Sequence, residues 1–246
     1  MNRIFKSNQE ATNFIINLNK MFFLNNKEYI KKYYKIRKIH SSVLNSMMKY
    51  VDSGKLPAEE YFNIVMPEIK KAAKDINISI DNREHDGAVV FNELFFYKTH
   101  HKFPSLTETY IKNKKFKDKE KIKMLYAMND SIVGLFKVMD YDNQNGYVTY
   151  KDVFTNKKYK VVDVAMSSLG EINKKKDIYV YNRLITYDNI TFGTGIPCAF
   201  NGNNKDLKQF IKKHKYKTCT DFSRCLILYS IAKKNNDMKM TSYNNY

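Results

Sequence analysis

The sequence predicts an α+β fold: a mainly helical region over residues 1–130, a small five-stranded antiparallel, barrel-like sheet over 131–200, and a helical segment over 201–246 that closes the core. Three observations lead there. Apolar residues recur at helical spacing on both sides of the middle segment and at strand spacing within it. Turn signals in the middle segment come at the short, regular intervals of a small all-β module. Charge follows the same division: residues 1–130 carry 24 Lys and Arg against 15 Asp and Glu (+9), residues 131–200 carry 9 against 7 (+2), and residues 201–246 carry 10 against 3 (+7), which sum to the net +18.

Residues 8–24 read as a first helix, with Phe14, Ile15, Leu18, Met21 and Phe22 on its apolar side and Asn25-Asn26 ending it. A second helix runs over about residues 27–51, with Tyr29, Tyr33, Ile36, His40, Val43, Leu44, Met47 and Val51 as its stripe and Lys31, Lys32, Lys35 and Lys38 off it. His40, on that stripe, reads as a hydrogen-bonded core residue. Gly54 is a C-terminal stop, and Pro57 opens a third helix that Pro67 kinks or splits. Residues 77–90 read as a loop, 91–101 as helix, and 105–128 as helix ending in Met124, Leu125 and Met128.

The period then changes. Ile132–Asp140 is an apolar strand, Asn145-Gly146 a hairpin turn, and Tyr147–Thr155 the partner strand. Tyr159–Met166 is a third strand and Asp177–Tyr187 a fourth. Ile190–Phe200 contains a fifth, with Gly193 and Gly195 marking a bulge or bend. OB-like and SH3-like barrels both fit this pattern. Asp206–His214 and a mostly apolar helix from Phe222 to Lys234 complete the chain's regular structure.

Hydrophobic residues are 43 % of the chain, with 19 Tyr and 16 Phe, ample for a core. Three cysteines, Cys198, Cys219 and Cys225, form no CxxC pair and suit a reducing compartment, so a cytoplasmic location is expected. No apolar run nears the ~20 residues that span a bilayer. The chain lacks GxGxxG, a P-loop, GxSxG and HExxH, so an ordinary dehydrogenase, kinase or hydrolase is not expected, and no cofactor is.

Two kinds of residue are candidates for function. Lys112, Lys114, Lys115 and Lys117, beside Tyr110 and Phe116, form one basic run, and Lys212, Lys213 and Lys215, beside His214 and Tyr216, form another. Basic runs interleaved with rings suit single-stranded nucleic acid, because Lys follows the backbone while rings stack on bases. In the β module Tyr179, Tyr181 and Arg183 share one face by the period of two, and an exposed Arg183 between rings is the best single contact. Only 5 of the 43 basic residues are Arg, which argues against sequence-specific duplex reading. The expected function is therefore non-enzymatic binding of a polyanion, RNA or a ribonucleoprotein before duplex DNA. A protein-interaction module with incidental charge is the first alternative, since AT-rich codons also favour Lys, Asn, Ile, Tyr and Phe. The second is a metal-dependent phosphodiesterase built on His85, Asp86, His100 and His101, residues that a surface loop and a helix end explain better.

Overall fold

The computed structural model describes residues 27–54, 67, 96–97, 104–113, 117–168, 177–194, 198–214 and 221–234. The helices read over 8–24 and from Pro57 onward, and most of the one over 91–101, lie outside these. In chain order the elements are α1 (Glu28–Asp52), α2 (Leu106–Asn113), α3 (Lys119–Asn129), β1 (Ile132–Asp142), β2 (Tyr147–Asp152), β3 (Lys158–Val162), α4 (Val164–Ser168), β4 (Ile178–Tyr187), β5 (Ile190–Gly193), β6 (Cys198–Asn201), α5 (Lys205–His214) and α6 (Asp221–Lys234). Among them no helix is long and apolar enough to cross a membrane.

The helix boundaries have local causes. α1 buries Ile30, Tyr33, Ile36, His40, Val43 and Met47, close to the stripe in its sequence, and Gly54 follows it with a φ of +68°, in the left-handed region that suits glycine. The single helix expected over 105–128 is two. The Asp118 carboxylate accepts from the backbone N–H groups of Glu120 and Lys121 and so starts α3 afresh. The third strand is likewise shorter than expected. Asp163 accepts from the Met166 N–H at 2.9 Å and caps α4, so residues 164–168 are helical.

The sheet closes into a barrel. β1 pairs antiparallel with β2, β2 with β3, β4 with β5, and β4 with β1. The ring is completed by β3 and β5, which meet in parallel at Val162 and Phe192. The circuit is therefore β1-β2-β3-β5-β4-β1, mixed where an all-antiparallel sheet was expected. A parallel closure with a helix in the β3–β4 connection is the OB-like alternative of the two barrels the sequence fits. β6 is the other half of the predicted bulged strand. From Gly193 to Cys198 the chain advances five residues while its partner moves three, from Leu184 to Tyr181, so β5 and β6 lie in line on one edge of β4.

Three apolar clusters follow. Inside the barrel are Phe136, Val138, Val148, Tyr150, Val161, Val180 and Leu184. On one outer side, α1, α2 and α3 cover β3, β4 and β5, joining Met124, Leu125 and Met128 to Ile185, Tyr187 and Phe192. On another, α5 and α6 cover β1, β4 and β6 through Leu207, Phe210, Leu228 and Tyr229 against Leu135, Tyr181 and Phe200. Each fully buried side chain of this kind contributes about 1.5–3 kcal/mol.

Where β6 ends, Gly202 donates its N–H to the Asp177 carbonyl at 2.6 Å, and a Cβ on Gly202 would stand 2.4 Å from the Asp177 Cβ. Gly202→Ala is therefore expected to destabilise the fold by about 1–3 kcal/mol through overpacking. A lowered urea midpoint checks this; an unchanged midpoint would mean that the start of β4 yields freely.

Candidate functional site

The predicted site residues divide. Lys112 is exposed in the last turn of α2 and Lys117 just before α3; Lys212 and Lys213 are exposed in the last turn of α5. Lys114, Lys115 and Lys215 lie outside the described residues, as do His85, Asp86, His100 and His101. The described members of the two runs belong to different layers: Lys112 and Lys117 on or beside helices of the cluster under α1, Lys212 and Lys213 on α5. Among the described residues no group of three or more His, Cys, Asp and Glu side chains is placed to hold a metal ion.

Arg183 and Tyr181 require a correction. The two do share the outer face of β4, but that face is covered, leaving Arg183 3 % and Tyr181 5 % exposed. Tyr181 packs under α5 and α6. Arg183 lies where β4 passes from one helical layer to the other: its guanidinium donates to Ser131 Oγ at 2.9 Å and sits 4.4 Å from the centre of the Tyr97 ring. The Tyr97 hydroxyl in turn lies 3.2 Å from His40 Nε2. Arg37, one turn before His40, donates to the Gly193 carbonyl at 2.7 Å. This seam is a buried polar joint between α1 and the barrel, and alternation along a strand does not reveal what lands on the face. Burial, and then the Arg37 charge, push the His40 imidazole down to a pKa of about 3.

Tyr179, the third member, is only partly buried, and it ends a row that the sequence reading missed. Cross-strand register sets Tyr179 opposite Lys137, Lys137 opposite Lys151, and Lys151 opposite Lys158. Neighbouring strands lie about 4.8 Å apart, so three lysine Cα atoms fall within about 10 Å across the outside of β1, β2 and β3. Lys158 is exposed and Lys137 and Lys151 are half-buried. The Lys151 and Lys158 side chains make no hydrogen bond or ion pair with any described residue, a property shared with many surface lysines. What sets them apart is that like charges directly opposite on a sheet are destabilising. Lys160, one pair further along β3, faces Thr149, which in turn faces the exposed Asp140.

The +2 of the β module conceals this polarity because three of its acids, Asp152, Asp163 and Asp188, are engaged elsewhere. Asp152 is buried and accepts from the Phe154 and Thr155 N–H groups at 2.8 and 2.7 Å, bracing the β2–β3 turn. Asp163 caps α4 and accepts from the Tyr150 hydroxyl at 3.4 Å. Asp188, in the β4–β5 turn, pairs with Lys123 and, at 3.9 Å, with Lys32; the Lys123 hydrogen bond holds its carboxyl below the usual range.

One rim of the barrel is already held by α1. Lys27 Nζ donates to the Gln144 carbonyl and Asn145 Oδ1, both at 2.6 Å, and the Tyr29 hydroxyl donates to the Asn145 carbonyl. Tyr29 stacks on Tyr147 with centroids 5.2 Å apart, and Lys160 Nζ lies 4.2 Å from the Tyr147 ring centre. Burial, with Tyr147 beside it, pushes the Tyr29 hydroxyl up to about 12. The β1–β2 turn and the β4–β5 turn are therefore engaged internally, and the lysine row lies away from them, next to the β2–β3 turn.

The arrangement offers charge and ring surface to a ligand. A family model described as a family of unknown function, DUF7986, matches residues 27–243. No curated protein and no solved structure matches the chain.

His40 gives a test of the seam. Its pKa when folded lies below the value of about 6.5 for an unfolded chain, so the unfolded state takes up the proton first. Stability from a neutral His40 is complete above about pH 6.5 and is lost as pH falls toward about 3, with roughly 2 kcal/mol gone by about pH 5. His40→Gln is expected to flatten the fall in urea midpoint between pH 6.5 and 5 relative to the unaltered protein. Parallel profiles for the two proteins would refute the buried, neutral imidazole.

Proposed function

We propose that the chain, which belongs to the DUF7986 family of unknown function, is a non-enzymatic polyanion-binding protein of the cytoplasm whose ligand is single-stranded nucleic acid, RNA in preference to duplex DNA. The observation that carries this reading is the cross-strand row Lys158–Lys151–Lys137, ending at the Tyr179 ring. A sheet does not accumulate opposed like charges without cost, and an anionic strand laid across them turns that repulsion into attraction. The β2–β3 face is also where OB-like barrels take oligonucleotides, an analogy of fold that supports the reading but does not carry it.

Several features bear on which polyanion. Lysine is a point charge without the planar fork that reads guanine, so the row favours backbone over base identity. A ring at the end of the row suits an unpaired base, which a duplex keeps stacked inside. Lys160 adds charge beside the row. The exposed Lys112, Lys117, Lys212 and Lys213 lie on the helical layers and act at longer range, raising the encounter rate in a salt-dependent way. An acidic protein partner is the competing ligand, which the same face would hold without the ring.

Fluorescence anisotropy with a labelled oligouridylate tests this. Affinity is expected to fall steeply between about 50 and about 200 mM salt, and the combined Lys137→Gln, Lys151→Gln and Lys158→Gln variant to lose about 2 units of the log–log salt slope, at about 0.7 per phosphate contact. The variant's urea midpoint is expected to hold or rise, since opposed charges have been removed. An unaltered slope in the variant overturns the reading, and preferential binding of polyglutamate would transfer the face to a protein partner.

A further inference from the structure

We propose that Asp177 is a displaceable internal counter-ion of the lysine row, a carboxylate that holds Lys137 in the free protein and gives it up to a ligand phosphate. The inference rests on the reading of that row as a polyanion site. Asp177 Oδ1 lies 2.9 Å from Lys137 Nζ, and this ion pair sets the middle of the sheet apart from Lys151 and Lys158, which have none among the described residues. The Asp177 hydrogen bond holds the Lys137 ammonium above its usual range.

The two ends of Asp177 are held very differently. Its backbone is held, because its carbonyl accepts from the Gly202 N–H at 2.6 Å beside a glycine with no side chain to displace it. Its side chain is 64 % exposed, while that of Lys137 is 36 % exposed. An ion pair so open to water is weak and screened by salt, and a group bringing more negative charge replaces it readily. The fixed backbone returns the carboxylate to the same place once the ligand leaves. In the free protein Asp177 thus reduces the charge of the row from three cations to two uncompensated ones, and it keeps the Lys137 side chain extended beside the Tyr179 ring, with Nζ 5.9 Å from the ring centre.

The consequence is selectivity. A single small anion gains Lys137 only by expelling Asp177. A phosphodiester strand engages Lys158 and Lys151 first and meets Lys137 at the high effective concentration of a tethered group. The row is thereby biased toward ligands with several anionic groups in series.

Anisotropy with the same labelled oligouridylate decides the matter. Asp177→Asn is expected to tighten binding about fivefold at about 0.1 M salt and to leave the salt slope nearly unaltered, since Lys137 meets a phosphate in both proteins and only the expulsion of the carboxylate is spared. In a Lys137→Gln background the same substitution is expected to leave the affinity unaltered too, because the cation it would free is gone. Asp177→Ser serves as a second neutral variant should Asp177→Asn lower the urea midpoint, and Asp177→Glu should retain unaltered affinity. If the neutral variants bind no tighter while the triple lysine variant loses binding, Asp177 is not a competitor and the inference falls. If the triple variant binds as the unaltered protein does, it is the polyanion reading that fails.

Discussion

β4 is hydrogen-bonded along both edges and packed on both faces, and the rest of the molecule is arranged around that enclosure. One edge takes β1; the other takes β5 and β6 in sequence. Its inner face, through Val180 and Leu184, fills the barrel. Its outer face is shared between two helical layers, with Tyr181 under α5 and α6, and with Ile185 and Tyr187 under α1 and α3. A strand enclosed in this way has no solvated side, so its burial pattern is nearly continuous and its polar residues need partners inside the protein. Arg183, at the handover between the layers, finds Ser131 and Tyr97; that is why a side chain suited to phosphate serves here as a joint.

The same enclosure leaves the opposite side of the barrel open. Helices cover β4, β5 and the ends of β1 and β3, while α1 fastens two of the turns with Lys27, Tyr29 and Lys32. The outside of the β1–β2–β3 segment carries lysines because it has nothing apolar to bury against. Inward-turned Asp152 and Asp163 take their negative charge into hydrogen bonds to backbone and Tyr150, so the face outside is more positive than the segment's composition. Net charge counted along a chain measures what a distant ion feels. A ligand at contact feels the charge of one face, and in a sheet alternate residues contribute to opposite faces.

Some of this was legible beforehand. The α1 stripe, the Asn145-Gly146 hairpin, and the interruption of the last strand at Gly193 each follow from local chemistry: helical period, a turn with positive φ, and a residue with no side chain. The break between α2 and α3 was also within reach, because Asp118 has the side chain of an N-cap. In the β2–β3 hairpin, Lys151 and Lys158 flank a turn closely enough for their pairing to be inferred from register.

The succession of helical, β and helical regions, the apolar face of α1 and the likeness of the middle segment to a small barrel were determined by the amino-acid sequence alone, since each depends on residues a few positions apart. Tertiary structure alone decided that β3 and β5 close the ring in parallel, that Lys137 joins a row begun by Lys151 and Lys158, that Asp177 reaches Lys137 across the β1–β4 pairing, and that Arg183 is buried. Each of those depends on which segments meet after the chain has turned back on itself. That is set by the balance of packing over the whole core, and no local period encodes it.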